Sequence, residues 1–190
     1  FASSAPPGED AAAGAPPSIY QPYKDVVDAL VEANQSNRGL TKPVPWDFGA
    51  GLNRDGARDQ AGNLVAYTKP IMLLTDELSA SAADGFAAVI QDNGRAPLFG
   101  WRTMGAGGNV VGGYAGTYSG GTASLTQSLM SRAWERAEAG GYPVNHYVEN
   151  VGVHPEYQVD YMTFDNLIQN GKPFVDAFVA AMVDHITKNR

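Results

Sequence analysis

Cysteine is absent from all 190 residues. That excludes a disulfide framework, a thiolate nucleophile and any cysteine-ligated metal. It does not decide the redox compartment. Cationic side chains are scarce, with 13 lysines and arginines against 20 aspartates and glutamates, so the net charge is −7. A chain of that sign is poorly suited to nucleic acid, and no nucleic-acid partner is expected. No apolar run of about 18 residues occurs, so no membrane span is expected. No signal-peptide pattern is visible, which decides little because the chain starts at Phe1 rather than at methionine. Only three histidines are present, His146, His154 and His185. None clusters with carboxylates at metal-ligand spacing, so neither a metal nor another cofactor is expected. Internal repeats are also absent. The length suffices for one domain with a sizeable core.

What is present is organised unevenly. Fifteen of the first 18 residues are Ala, Pro, Ser or Gly. Such a stretch buries too little apolar surface to offset its chain entropy and reads as a linker. Tyr23, Val26, Val27, Leu30 and Val31 recur at helical spacing and predict a helix over Pro22–Asn34. Gly39–Gly62 is rich in Gly, Pro, Asn and Asp around Trp46 and Phe48, and reads as a long irregular loop, either a lid or a tolerated insertion. Beyond Gly100 the pattern turns to β. Gly112-Gly113 between Asn109–Val111 and Tyr114–Tyr118 is a hairpin signal, and Ala123–Met130 reads as a further strand. Phe174, Val175, Phe178, Val179, Met182 and Ile186 mark a C-terminal amphipathic helix whose apolar stripe is expected in the core.

The most informative stretch is Ser79-Ala80-Ser81-Ala82-Ala83-Asp84. It lies where the apolar strand Ile71–Thr75 gives way to a helix expected from Ser81 to Asn93. A serine there has its hydroxyl at the carboxyl end of a strand, beside the free, partly positive N–H groups of a helix N-terminus. A nucleophilic serine needs that setting. Serine is also a favoured N-cap, and taken alone the segment favours a cap over a nucleophile.

The surrounding motifs shift that balance. Pro70-Ile71-Met72-Leu73-Leu74, Ser79–Ala83, Gln91-Asp92-Asn93-Gly94-Arg95-Ala96, Phe99-Gly100-Trp101-Arg102-Thr103-Met104-Gly105, Leu125-Thr126 and Glu149-Asn150-Val151-Gly152-Val153-His154-Pro155 follow one another in order. Over residues 64 to 160 this series resembles the tail-specific, or C-terminal-processing, serine peptidases. The resemblance implies an α/β fold of the crotonase/ClpP type, built from strand-strand-helix units, of which this chain holds the C-terminal part. It places the nucleophile at Ser81 and one oxyanion donor at the N–H of Ala82.

One departure narrows the branch. Where members with a serine–lysine dyad carry lysine, 25 residues after the serine, this chain has Ala106, and no lysine lies between Lys69 and Lys172. The Gly105-Ala106-Gly107-Gly108 loop instead resembles the tricorn-like branch, which uses serine, histidine and glutamate. Its glutamate carries over to Glu149, the histidine and an oxyanion glycine belonging to an upstream segment without a counterpart here. Such a carboxylate fixes the imidazole tautomer and stabilises the imidazolium. Without its flanking motif, Glu149 reads as a surface residue at a strand end. His146, three residues before it, is expected in the same strand and on the opposite face. None of the three histidines matches the family's base, and His154 is the reserve candidate. Asp92 stands where many members have an aspartate near the active site, although helix-end capping with Asn93-Gly94 explains it equally well. The glycines of 105–108 lack the lysine and spacing of a phosphate loop.

The resulting expectation is a linker over 1–18, a helix and long loop over 19–63, and the C-terminal part of a serine peptidase domain over 64–190. The chain would act through an acyl-enzyme on a peptide or protein, with an N-terminal part of the same protein as partner and a homo-oligomer open. Alone it would be inactive. The resemblance favours a periplasmic or secreted setting. The alternative is a non-catalytic binding module for a small apolar ligand or peptide, because retinoid-binding repeats of the photoreceptor matrix share this fold and resemble the Thr-x-Gly-Ala loop.

Overall fold

The computed structural model describes residues 17–45, 58–136 and 145–188, which fall into two units, Phe1–Tyr67 and Thr68–Arg190. In the first unit, helix α1 spans Pro17–Gln35. It begins earlier than the Pro22 start expected from the apolar spacing, because proline suits a first helical position, where no N–H partner is needed. Arg38 N–H closes its end on Ala33 O at 2.9 Å, with Asn37 left-handed at φ 50. Of the expected linker 1–18, residues 1–16 lie outside the described residues and residues 17 and 18 stand in α1; the loop residues 46–57, Trp46 and Phe48 included, also lie outside the described residues. The end of that loop is a turn in which Asp59 Oδ1 accepts from the N–H groups of Ala61 at 2.9 Å and Asn63 at 2.8 Å.

The second unit is built on a strand–helix–strand crossover. Strand β1 (Leu73–Thr75), helix α2 (Ala82–Asp92) and strand β2 (Leu98–Gly100) follow in order, and β1 and β2 run parallel with Leu73 opposite Leu98 and Thr75 opposite Gly100. Strand β7 (Tyr157–Gln158) adds in parallel to the other edge of β2. The side chains of β2 alternate as a strand requires. Leu98 enters a buried cluster with Ala87, Ala88, Val148 and Val153. Phe99 packs edge-on against Phe174 and Phe178, with ring centroids 5.4 and 5.9 Å apart. The face of α2 that meets this core is Asp84, Ala87, Ala88 and Gln91, a one-face helical spacing in which two alanines allow close approach. Ile90 packs against the edge of the cluster, whereas Phe86 and Val89 are exposed.

Gly100 fixes the end of β2. Its φ is 120, and a Cβ would lie 2.3 Å from Thr75 O, so glycine alone fits. Beyond it, β3 (Gly108–Ala115) and β4 (Thr122–Leu129) form an antiparallel ribbon. The ribbon turns at 116–121, where Gly116 N–H donates to Gly121 O at 2.8 Å, and not at Gly112-Gly113. Those glycines sit inside β3 at a register shift, with Gly113 at φ 107. A bulge and a tight turn both call for positive φ, and so share a sequence signal.

Strands β5 (Ser131–Arg136) and β6 (Asn145–Tyr147) pair antiparallel. Because β6 ends at Tyr147, His146 and Glu149 do not share a strand. Glu149 lies in a turn set by left-handed Asn150 (φ 62) and Gly152 (φ 78), so alternation of faces does not relate the two. Helix α3 (Phe164–Ile168) is capped by Thr163, and its buried Asn166 binds Tyr161 O and the N–H of Phe174. The latter lies in the first turn of α4 (Lys172–Lys188). The stripe of α4 is only partly core. Phe174 and Phe178 pack on Phe99, whereas Val175 and Val179 remain about half exposed, at 52% and 50%, because this three-stranded sheet is too narrow to cover the whole face. Among the described residues no helix is long and apolar enough to cross a membrane.

Candidate active site

The turn from β1 to α2 is made by Asp76. Its carboxylate accepts the N–H of Leu78 at 3.1 Å and the hydroxyl of Ser79 at 2.8 Å, while Ser79 Oγ accepts the N–H of Asp76 at 3.2 Å. Ser79 is therefore consumed by the turn. Ser81 differs. It is exposed and holds φ 57 and ψ −109 at the N-terminus of α2, a conformation that costs a residue with a side chain on the order of 1–3 kcal/mol. The N–H groups of this turn divide cleanly. Ser81 N–H donates to Asp84 Oδ2 at 2.8 Å and Ala83 N–H to Ala80 O at 3.0 Å. Ala82 N–H has no acceptor among the described residues, and it opens the helix where partial positive charge collects.

Asp84 and Thr103 connect this turn to the rest of the site. Asp84 is fully buried and also accepts the Thr103 hydroxyl and the N–H groups of Gly105 at 2.9 Å and Ala106 at 3.0 Å. Thr103, equally buried, accepts the N–H of Val153 at 2.7 Å. Gly105 O accepts the N–H of Asn150 at 2.7 Å. The Ser81 turn and the Glu149 turn are thus both fastened to one loop, 103–108. The glycines of that loop are packing necessities. A Cβ on Gly105 would lie 2.8 Å from Gly152 N, and one on Gly107 would lie 2.6 Å from Val148 Cβ.

Glu149 closes the arrangement. Its Oε2 is buried without a hydrogen-bond partner among the described residues, against Gly108, where a Cβ would lie 3.1 Å from it. A buried carboxylate oxygen without a partner is costly. His146 is exposed on β6, His154 is half-buried after the Glu149 turn, and His185 is on α4. No group of three or more His, Asp or Glu among the described residues is arranged to hold a metal.

The family model for peptidase family S41 matches residues 24–158. The chain belongs to that family. Among curated proteins, one from Chlamydia muridarum is 40% identical over 102 residues, covering 53% of this chain and 15% of the relative. One from Chlamydia pneumoniae is 32% identical over 150 residues, covering 79% and 22%. The S41 chain therefore spans about a fifth or less of the length of these relatives. Among solved structures, mature CPAF complexed with lactacystin aligns with a TM-score of 0.64 and 27% identity over 91% of this chain and 30% of that one. Mature CPAF alone gives the same score and identity over 87% and 28%.

Asp92 of this S41 chain stands at the last position of α2. It pairs with Arg132 on β5, Nη2 to Oδ1 at 2.5 Å and Nε to Oδ2 at 3.3 Å. The end of α2 is closed by Asn93, whose side chain donates to Val89 O at 2.8 Å. Sequence reasoning gave no role to Asp84 or Thr103. The spacing of Ser81 and Asp84, that of a capping box, was the one available signal. Thr103 stands in the Thr-x-Gly-Ala loop, but nothing in that motif points to its bond with Asp84.

Proposed function

We propose that this S41 chain carries the nucleophile of a serine endopeptidase. Ser81 Oγ attacks a peptide carbonyl carbon, and its proton passes to an imidazole. The Ala82 N–H donates to the carbonyl oxygen as it gains charge. The C–N bond then breaks, the imidazole returns the proton to the leaving amine, and an acyl-enzyme remains for water to hydrolyse. Glu149 holds the imidazole in orientation and balances its charge. The imidazole comes from an N-terminal part of the same protein, residues 64–190 forming the C-terminal part of a crotonase/ClpP-like peptidase domain.

The observation that carries this reading is the turn at Ser81. A strained, exposed serine stands beside a helix N–H that has no acceptor among the described residues, in the turn that follows a parallel strand. The Oε2 of Glu149, buried without a partner among the described residues, supports it as a carboxylate able to receive a donor. The likeness to mature CPAF, described with lactacystin, makes lactacystin a fitting probe. The test is cleavage of a mixed peptide library by the longest encoded form of the protein, read by mass spectrometry with and without lactacystin. Hydrolysis should vanish in Ser81→Ala, which should keep its circular dichroism spectrum. Near-normal turnover by that variant would end the assignment.

A further inference from the structure

Building on the reading of Ser81 as nucleophile, we propose that Asp84 is the positioning residue of this site, its carboxylate locking the nucleophile turn to the loop 103–108. Asp84 is wholly inaccessible to solvent. Oδ2 accepts Ser81 N–H at 2.8 Å and Ala106 N–H at 3.0 Å, and Oδ1 accepts Gly105 N–H at 2.9 Å and the Thr103 hydroxyl. An ionised carboxylate offers about four lone-pair sites, and all four are filled. Bonds to a charged acceptor are about twice as strong as neutral ones. Asp84 also stands in the first turn of α2, where the helix dipole favours a negative charge.

The donor pattern demands a carboxylate rather than a polar group of the same shape. Turned one way, an asparagine amide would set its NH2 against the N–H groups of Ser81 and Ala106. Turned the other way, it would set it against Gly105 N–H and the Thr103 hydroxyl. Either way an N–H that now donates would meet another donor. The consequence reaches the reacting atom. Ser81 holds φ 57, and its N–H is tied to Asp84, which keeps the turn strained and leaves Ala82 N–H facing outward. With that bond lost, Ser81 relaxes toward an ordinary helix N-cap, and Oγ and the Ala82 N–H leave their common orientation. Thr103 extends the lock to the Glu149 turn, donating to Asp84 and accepting Val153 N–H at 2.7 Å.

The experiment follows phosphonylation by a fluorophosphonate, in which Ser81 Oγ forms a bond to phosphorus and fluoride leaves. The longest encoded form of the protein is used, and the rate constant is read separately from the labelled fraction. A merely structural role would reduce the fraction folded but not the rate constant of the molecules that label. In Asp84→Asn the rate constant and the peptidase kcat should fall about 100-fold, as for a reacting group displaced by about 1 Å, while KM stays near wild type. Thr103→Val, which removes one donor, should lie between Asp84→Asn and wild type, and Thr103→Ser should match wild type. If Asp84→Asn does not fold, the Thr103 pair decides. An unchanged rate constant in Asp84→Asn, or equal rates in the two Thr103 variants, overturns the role of Asp84 and leaves Ser81 as nucleophile. If the wild-type protein hydrolyses peptides but takes no label at Ser81, the nucleophile reading falls, and the role of Asp84 with it.

Discussion

Arg132 reaches from β5 to the last residue of α2 and grips both oxygens of Asp92, with the two side chains only 6% and 12% exposed. The same guanidinium donates to Gln91 Oε1 at 2.8 Å. Gln91 Nε2 in turn donates to His154 O and to Glu156 Oε1, each at 2.8 Å. Glu156 then accepts the N–H of Leu98 at 2.7 Å. One hydrogen-bonded chain therefore runs from β5 through the end of α2 to the start of β2.

A pair so buried leaves an uncompensated charge when one partner is removed. Arg132→Met should lower stability by about 3–5 kcal/mol. The double change Arg132→Met with Asp92→Leu should recover much of that loss, because it removes both charges. Urea denaturation midpoints check this. An Arg132→Met midpoint equal to wild type would mean that the pair is no more than a surface contact.

Glu149→Gln keeps the shape of the side chain but removes its charge. If Glu149 orients an imidazole, kcat should fall by about four powers of ten, as for a triad whose anion is neutralised, while the fold persists. Steady-state kinetics on the longest encoded form, with a thermal melt alongside, checks this. Wild-type turnover would make Glu149 a buried residue of no catalytic consequence.

Much of this arrangement was legible where one local rule determined the outcome. The run Ile71–Thr75 followed by small residues at 79–83 announced a strand passing into a helix, and β1 and α2 stand there. Other features depend on contacts far apart in sequence. Asp92 reads equally well as a helix-end cap with Asn93-Gly94 or as an aspartate near the active site, and its partner Arg132 lies 40 residues on. Asp84 takes donors from Thr103, Gly105 and Ala106, a loop that no pattern around residue 84 reveals. Gly112-Gly113 misleads because glycine reports a positive φ without saying what it serves. Periodicity alone assigns the stripe of α4 to the core, but it says which residues share a face and not how wide a surface awaits them.

Gly152 offers a stability test at the Glu149 turn. It holds φ 78, and a Cβ would lie 2.3 Å from Thr103 O. Gly152→Ala must therefore both adopt a left-handed conformation and push the 103–108 loop away. The expected loss exceeds the roughly 1–2 kcal/mol of a left-handed residue alone, and a thermal melt would register it. Gly113, also at positive φ but with nothing within 4 Å of its Cβ position, should lose no more than that conformational term when changed to alanine. Equal losses at the two sites would show that contact with Thr103 contributes nothing.

The last prediction concerns these 190 residues expressed by themselves. They should not hydrolyse peptides, although they carry Ser81, Ala82 and Glu149. A hydroxyl without a base is a poor nucleophile at neutral pH. The position that would hold a dyad lysine is Ala106, and its N–H is already committed to Asp84. His146 is exposed on β6, and His185 is on α4. His154 lies near the Glu149 turn, but Glu149 Oε2 has no donor among the described residues. Adding a separately expressed N-terminal part of the same protein should restore hydrolysis if that part supplies the imidazole. The measurement is product formation from a mixed peptide library, followed by mass spectrometry, with Ser81→Ala as control. Efficient cleavage by the lone chain that disappears in Ser81→Ala would place the base within these residues, and His154→Ala would then be the first variant to examine.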